Sequence, residues 1–411
     1  MTCVPNSRRS LWIAALALPI LAAGCADLPG WMVMQRRATV FDYEHFDNAT
    51  IHRADREVPL EIAAEGSLQL PAMSHGESFE AALEHSGTTA FIIVQHGRLL
   101  MEKYYNGSTR ESTAASFSAA KSFVSALVGI ALSEGKISSI DDPITRYLPE
   151  LERNDPGFSR ITLRHLLEMR SGIRFEENYD TPWDDAAAFY LTDDLLAKVT
   201  QLAIERHPDE VFHYSSGDTQ LLGLIVQRAT EMPLPRYLQE KIWRPMGAGR
   251  DASWSLDSFE HGNAKAFCCL NARPLDYARF GMLFLENGRL NGVQIVPADW
   301  VRMSTETNEH QGSDLASHWN VDSPGKHRAA FYTWHWRRAA LPDTTAAFGI
   351  RPSPDFYAQG LLGQYIYVAP EQQMVIVRFG QHNGKIRWPA LFRSIAELNP
   401  VAPTIPVESE R

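Results

Sequence analysis

The hydrophobic and polar positions first become regular between residues 88 and 132. TTAFIIVQ and RLLMEKYY are strand-like runs joined by His-Gly, which predicts a β-hairpin with Gly97 at its turn. The apolar run SFSAAKSFVSALVGIAL (residues 116–132) follows closely and is long enough for a buried helix. One lysine, Lys121, interrupts this run, so a predicted core helix carries a cation.

The region from about 140 to 260 has helical signals. In DDPITRYL, Asp142 and Pro143 are suited to be the N-cap and the first residue of a helix. In ITLRHLLEMRSG, Thr162 can cap a helix that Gly172 ends. TQLLGLIVQRAT and LPRYLQEKIW have the apolar spacing of amphipathic helices.

Strand patterns return near the C-terminus in FYTWHWRR, DFYAQGLL, QYIYVAP and MVIVRFGQ. Strands at both ends with helices between them predict an α/β (α+β) fold, in which one sheet is built from both ends of the chain. We therefore expect one main domain over residues 76–400 with a helical insert at about 140–260. Residues 401–411 are polar and rich in Pro, which predicts a flexible tail.

The N-terminus has the pattern of an export signal, residues 1–24. MTCVPNSRRS is basic, LWIAALALPIL is apolar, and AAGC ends in a small-residue cleavage site. Cys25 would then carry a lipid anchor, which predicts a protein held in the periplasm on a bacterial membrane. A twin-arginine signal and an ordinary secretory signal are the alternatives. Residues 25–75 are irregular and predict an arm or spacer.

Composition narrows the functional classes. Hydrophobic residues are 45% of the 411, and the formal net charge is −10, which argues against a nucleic-acid partner. The 14 His residues form no motif with zinc spacing, so we expect no metal. Cys268 and Cys269 are adjacent, and because a disulfide between neighbours strains its own peptide we expect two buried thiols.

Ser118 and Lys121 are the strongest candidate for chemistry. Residues three apart lie on one helix face, so the lysine amine can reach the serine hydroxyl. A lysine in apolar surroundings can be neutral and take the proton of a serine, which makes that serine a nucleophile. The alternative is a lysine that extends to solvent from the first turn. Two other Ser-x-x-Lys pairs contain Gly at the third position, and the chain has no Gly-x-Ser-x-Gly elbow.

The order of three motifs resembles the serine β-lactamase and penicillin-binding-protein superfamily. Ser118 and Lys121 are followed by FHYSSGDTQLLGLI, similar to the Tyr-x-Asn or Tyr-x-Ser element of the class C branch, and by FYAQGLLGQYIYVAPE, similar to its last motif strand. The resemblance covers roughly residues 76–395. YSSGDTQLLG, ENYDTPWDD and GQYIYVAPE are most similar to family VIII carboxylesterases and 6-aminohexanoate-oligomer hydrolases.

The resemblance implies a β-lactamase/transpeptidase-like fold, an antiparallel sheet flanked by helices, and roles for matching residues. Ser118 is the nucleophile, Lys121 its base, and Tyr214 a proton relay to the leaving group. The oxyanion hole consists of the backbone N–H groups of Ser118 and Leu361, and Gly360 lets the strand approach the substrate closely. No cofactor is needed.

Four further positions bear on the substrate. Ser216 stands where β-lactamases have Asn, and Ala358 stands where the third motif has Lys or His. The second change removes a cation that would bind a substrate carboxylate, which favours a small ester or linear amide. Tyr179 resembles a substrate-contacting lid tyrosine, and Trp336 is a candidate wall of the pocket.

The sequence therefore predicts an exported serine hydrolase that cleaves an ester or linear amide. Two alternatives stay open at this point. One is a β-lactamase or D-alanyl-D-alanine carboxypeptidase, which would act through the same serine. The other is a catalytically silent periplasmic binding lipoprotein that keeps the scaffold.

Overall fold

The structure is a computed structural model that describes residues 38–64, 66–178, 183–307, 330–346 and 349–401. The strands in these ranges are β1 (Asn48–Ile51), β2 (Glu61–Ile62), β3 (Thr88–Gln95), β4 (Arg98–Tyr104), β5 (Ala114–Ala115), β6 (Ile173–Arg174), β7 (Ala203–Ile204), β8 (Ala252–Ser255), β9 (Leu270–Ala272), β10 (Arg289–Leu290), β11 (Val293–Gln294), β12 (Ala330–Thr333), β13 (Trp336–Pro342), β14 (Ile350–Pro352), β15 (Phe356–Gly360), β16 (Gln364–Ala369) and β17 (Met374–Gly380).

The α-helices in the same ranges are α1 (Phe79–His85), α2 (Ala120–Ser133), α3 (Pro149–Asn154), α4 (Leu163–Leu167), α5 (Asp185–Leu191), α6 (Leu195–Val199), α7 (Ser216–Thr230), α8 (Leu234–Leu238), α9 (Pro274–Leu285), α10 (Ala298–Thr305) and α11 (Trp388–Leu398). Short 3-10 turns connect several of them. In the described residues, no helix combines the length and the apolar composition needed to cross a bilayer.

A nine-stranded sheet forms the centre of the domain. Its strands lie in the order β12-β13-β15-β16-β17-β3-β4-β2, and β14 pairs with β13. All neighbours are antiparallel except β2 and β4. Because β17 pairs with β3, the sheet joins the two ends of the domain, which confirms the prediction from the strand pattern.

Helices cover both faces of this sheet. Ile92 and Val94 of β3 belong to the large core that includes α2, α7 and α9, whereas Phe91 and Ile93 pack with α1 and α11. Successive side chains of a strand point to opposite faces, so a strand buried on both sides is apolar at every position. The β3–β4 hairpin is confirmed, with His96 and Gly97 both at positive φ (49° and 72°), as a tight type I′ turn requires.

The helical predictions are partly correct. Thr162 caps α4, since its Oγ accepts from the His165 N–H at 3.4 Å and its own N–H donates to His165 Nδ1 at 3.1 Å. The helix ends at Leu167, well before Gly172. A helix starting at Pro143 was wrong, because only the 3-10 turn Ile144–Arg146 follows it. The Asp142 carboxylate instead accepts from Ser139 N–H and from the Tyr147 hydroxyl.

FYTWHWRR is a hairpin and not one strand. β12 pairs with β13 in the antiparallel sense, and Trp334 and His335 form the turn between them, with φ of 26° and 73°. Alternation of large and polar residues is the same for one long strand and for two short ones, so the pattern did not show the turn. The turn determines which side chains of β13 face the core.

The described residues before position 76 contact the main domain at several places. β1 pairs with β8 in a four-stranded sheet, and Val40 packs on Ala115 and Phe117 next to Ser118. Residues 1–37, which include the predicted signal and Cys25, and residues 402–411 of the predicted tail lie outside the described residues.

The prediction of two free thiols was wrong. Cys268 and Cys269 are joined by a vicinal disulfide. Cys269 has a φ of 70°, a turn that brings the two neighbouring side chains to one side of the backbone. The Cys268 carbonyl accepts from Trp254 Nε1 at 2.9 Å, so the turn is held within the core.

Candidate active site

The candidate nucleophile lies at the head of α2. Ser118 is the middle residue of the 3-10 turn Phe117–Ala119, which continues into α2, and it is half-buried between buried neighbours. Phe117 has a φ of 44°, an unfavourable conformation for a residue other than glycine. This bend lets the chain leave β5 and enter α2 with Ser118 at the exposed corner.

Lys121 is 1% exposed and has three hydrogen-bond partners. Its Nζ lies 3.2 Å from Ser118 Oγ, 3.0 Å from Ser216 Oγ and 2.8 Å from the Phe267 carbonyl oxygen. The Phe267 carbonyl oxygen can only accept a hydrogen bond, so Lys121 donates to it. Ser216 also accepts from Lys121, because its hydroxyl donates to Glu177. In a neutral lysine the two hydrogens satisfy these partners, and the remaining lone pair faces Ser118.

Glu177 was missed by the sequence reasoning. Its Oε1 accepts from Ser216 Oγ and its Oε2 from the Ser216 N–H, both at 2.7 Å. Ser216 is fully buried, so it links Glu177 to Lys121 and does not lie in the cavity as a substrate-binding residue, which corrects that prediction. A glutamate in a loop 39 residues before its partner carries no local sequence signal.

Tyr214 is placed as predicted, on the wall of the cavity that Ser118 faces. Lys121 Nζ lies 5.1 Å from the centroid of its ring. The ring makes an edge contact with Tyr332, with centroids 5.6 Å apart. The Tyr214 ring is therefore held beside Lys121 in the wall of the cavity.

The predicted oxyanion strand also meets the nucleophile. Gly360 ends β15, and a Cβ at this position would overlap the carbonyl oxygen of Ser116. Leu361 follows and lines the cavity. Buried Arg378 holds the next turn in place, since it donates to the carbonyl oxygens of Leu362 and Gly363 at 2.9 and 2.7 Å. The N–H groups of Ser118 and Leu361 thus belong to two tightly packed segments.

Ser118, Tyr214, Gly360 and Leu361 line a cavity of about 260 Å³. Its volume suits a small molecule more than a polymer. Tyr179 falls outside the described residues, and Trp336 does not line the cavity, which corrects the prediction of a pocket wall. Trp336 is fully buried against Phe280, Phe284 and Phe356. The polar side chains in the lining are those of Ser118, Glu177, Tyr190, Tyr214, Arg337, Gln359 and Asn383.

Arg337 is the second residue that the sequence reasoning missed. It follows Trp336 on β13 and therefore points to the opposite side of the strand, into the cavity. Its Cζ lies 4.9 Å from the Tyr214 ring centroid and 5.1 Å from that of Tyr332. The alternation of β13 was a usable signal, but it becomes decisive only once Trp336 is known to face the core.

Two titratable groups are buried behind the site. Burial lowers the pKa of His335 to about 3, so its ring is neutral at physiological pH. Burial raises the pKa of Asp218 well above its ordinary value, although hydrogen bonds from Ser171 and Ser215 oppose the shift. Both side chains are buried, and neither lines the cavity.

Within the described ranges, one group of side chains has the spacing of metal ligands: Asp194, Asp257 and His261. None of them lines the cavity. Asp257 already accepts hydrogen bonds from the backbone N–H groups of Leu195 and Asn263, at 3.0 and 2.9 Å. These hydrogen bonds give the Asp257 carboxylate a structural role.

Comparisons with known proteins agree with this geometry. The model of the Beta-lactamase family matches residues 77–398. The 6-aminohexanoate-dimer hydrolase of Paenarthrobacter ureafaciens is 28% identical over 297 residues, 69% of this chain and 73% of the relative. The matched regions therefore extend well beyond the three motifs.

Two solved structures show the same fold. One is a Bacillus anthracis protein provisionally assigned as a 6-aminohexanoate-dimer hydrolase, with a TM-score of 0.71, 23% identity and coverage of 87% of this chain and 92% of that one. The other is EstCE1, a hydrolase with promiscuous acyltransferase activity, with a TM-score of 0.56, 15% identity and coverage of 76% and 94%. The chain belongs to the Beta-lactamase family and is a serine hydrolase with that family's fold.

Proposed function

We propose that the protein cleaves a small linear ester or amide through an acyl-enzyme on Ser118. The observation that carries this proposal is the hydrogen-bond set of Lys121. Two acceptors, Ser216 Oγ and the Phe267 carbonyl oxygen, use the hydrogens of a neutral amine and leave its lone pair directed at Ser118 Oγ, 3.2 Å away.

Acylation then proceeds through a tetrahedral intermediate. The Ser118 oxygen bonds to the substrate carbonyl carbon as its proton passes to Lys121. The N–H groups of Ser118 and Leu361 stabilise the negative oxygen of the tetrahedral intermediate. Tyr214 transfers a proton to the departing oxygen or nitrogen as the ester or amide bond breaks.

Water completes the cycle by attacking the acyl carbon. Its proton is taken by the Tyr214–Lys121 pair and returned to Ser118 as the acyl bond breaks. The products are a carboxylic acid and an alcohol or amine, and the enzyme regains its starting protonation state. A relative named as a 6-aminohexanoate-dimer hydrolase and a neighbour described as a hydrolase with promiscuous acyltransferase activity support acyl transfer followed by hydrolysis.

Intact-mass spectrometry after treatment with a fluorophosphonate tests the nucleophile. Wild type is expected to gain one adduct, and Ser118→Ala none. Ser125→Ala is a matched control, because it removes a buried serine hydroxyl from the same helix that has no hydrogen-bond partner among the described residues. An adduct on Ser118→Ala, or none on folded wild type, would contradict the proposal.

We also propose that the chain is exported and lipid-anchored through Cys25. The support is the order of basic, apolar and small residues in positions 1–25. Metabolic labelling with radioactive palmitate in a bacterial host tests it. Wild type should incorporate label and Cys25→Ala should not, whereas equal labelling of the two proteins excludes Cys25 as the acceptor.

A further inference from the structure

The Cys268–Cys269 disulfide lies beside the candidate active site. Cys268 lines the same cavity as Ser118. The residue before it, Phe267, carries the carbonyl oxygen that accepts from Lys121 Nζ at 2.8 Å. This carbonyl belongs to the peptide that joins Phe267 to Cys268. One peptide unit therefore connects the disulfide to an acceptor of Lys121.

Hydrogen bonds hold the chain on both sides of this peptide. Before it, the Ala266 N–H donates to Gln220 Oε1 of α7 at 2.9 Å. After it, the Cys269 carbonyl oxygen accepts from the Ser255 N–H of β8 at 3.0 Å. The Phe267–Cys268 peptide lies between these fixed points, so a change at Cys268 is transmitted to the Phe267 carbonyl.

Reduction of the disulfide needs space that the core offers on one side only. Two sulfurs that are no longer bonded must separate by about 1.5 Å to reach van der Waals contact. Cys269 borders a cavity of about 10 Å³, no more than a single water molecule needs. Cys268 borders the cavity of about 260 Å³. The displacement therefore falls on Cys268 and on the peptide that joins it to Phe267.

Displacing this peptide disturbs the orientation of Lys121. In the proposed mechanism, the Phe267 carbonyl oxygen takes one of the two hydrogens of a neutral amine, so that the lone pair faces Ser118. We infer that the Cys268–Cys269 disulfide is a positioning group for Lys121, so that the hydrolase is active with the disulfide formed and loses most of its activity when a dithiol reduces it. This inference rests on the proposed function.

The reduction is a thiol–disulfide exchange. One thiolate of the dithiol bonds to the Cys268 sulfur and expels the Cys269 thiolate. The second thiolate of the dithiol then closes it into a cyclic disulfide and expels the Cys268 thiolate. Both cysteines take up the protons that the dithiol gives up, and reoxidation reverses the exchange. Under the proposed export, the enzyme is active only outside the reducing cytosol.

The activities of the oxidised and the reduced full chain test the inference. Reduction is driven to completion with dithiothreitol in urea, and the protein is refolded with dithiothreitol present. A sample taken through the same steps without dithiothreitol is the matched control. Alkylation of the unfolded chain followed by mass spectrometry shows whether Cys268 and Cys269 are bonded or free, because only free thiols are alkylated.

The reduced protein is expected to hydrolyse 3-acetoxybenzamide, a neutral aryl acetate, with a kcat about 10- to 100-fold below that of the oxidised protein, as a misplacement of about 1 Å causes in other enzymes. KM should change less than kcat. The reaction of Ser118 with the fluorophosphonate should slow by a factor similar to that of kcat, and reoxidation should restore both rates.

The double variant Cys268→Ala/Cys269→Ala is the control for the reductant. It is expected to have the same kcat with and without dithiothreitol. Because it keeps Cys3 and Cys25, it detects any effect of the reductant elsewhere in the chain. Thermal unfolding of each sample shows whether the protein is folded at the assay temperature.

Two free thiols in the untreated protein overturn the inference, as does an equal kcat in the oxidised and the reduced protein. A fall of kcat that also occurs in the double variant overturns it, because the effect then arises elsewhere. Reduced protein that is not folded at the assay temperature overturns it as well, because the disulfide then serves stability and not Lys121. Each of these outcomes leaves the proposed function standing if the fluorophosphonate labels Ser118 in the untreated protein. Failure of that labelling is the separate failure of the proposed function.

Discussion

Replacing Gly360 by alanine tests whether the close contact between β15 and the nucleophile turn builds the oxyanion hole. A Cβ at this position would overlap the Ser116 carbonyl oxygen and lie 3.1 Å from Phe117 Cβ and 3.2 Å from Gln364 Cβ. The overlapping atom belongs to the backbone and cannot rotate away. One of the two segments must therefore move by about 1 Å to restore an ordinary van der Waals distance.

The movement separates the two N–H groups that would bind the oxyanion, because Ser118 lies two residues after Ser116 and Leu361 directly follows Gly360. Losing one donor raises the barrier by ~3–4 kcal/mol, which lowers kcat about 100- to 1000-fold. A misplacement of about 1 Å has an effect of similar size in other enzymes. We expect KM to change much less than kcat.

The assay is steady-state hydrolysis of 3-acetoxybenzamide, with thermal unfolding measured in parallel. Ala358→Gly is the control, because it changes the same single carbon on the same buried strand two residues earlier without adding an atom. A folded Gly360→Ala protein whose kcat stays within about threefold of wild type refutes the reasoning. So does an equal loss of kcat in Ala358→Gly.

Glu177→Gln should lower kcat about 10-fold, because glutamine has one acceptor oxygen where Glu177 accepts from both the hydroxyl and the backbone N–H of Ser216, and the hydroxyl that contacts Lys121 is then less well oriented. Ser216→Ala breaks the same link, so the double variant should be no worse than the poorer single one, and fully additive losses in kinetic assays would contradict the link. Burial lowers the pKa of Lys265 from 10.5 to about 7, although Asp257 and Asp193 oppose the shift. Between these two values the unfolded chain binds more protons, so the free energy of unfolding rises with pH from about 7 to 10.5 and is unchanged by this group below about 7, where both states are protonated. Urea unfolding from about pH 6 to about pH 9 should show wild type gaining ~2–3 kcal/mol relative to Lys265→Met, and parallel pH profiles would contradict the shift.

Much of the fold was predictable because its signals are local. The β3–β4 hairpin depends on two turn residues between apolar runs, and α2 depends on a continuous apolar segment. The wrong element boundaries share one cause. Pro143, Gly172 and the FYTWHWRR segment all concern where an element starts or stops, and neighbouring elements compete with local preference at such boundaries.

The proximity of Ser118 and Lys121 was predictable for the same reason. Ser118 and Lys121 are three residues apart on one continuous helical path, so their distance follows from backbone geometry alone. The roles of Tyr214, Gly360 and Leu361 required the resemblance to a family, because their positions relative to Ser118 depend on how distant segments pack.

The amino-acid sequence by itself determined the strand and helix pattern, the serine–lysine pair and the family. The tertiary structure decided which polar side chains share the cavity. Glu177 reaches Lys121 through Ser216, and Arg337 reaches Tyr214 from a strand more than a hundred residues away. Arg337 faces the cavity because Trp336 faces the core, and that choice depends on the order of the strands in the sheet and the helices packed against it, which no local preference encodes.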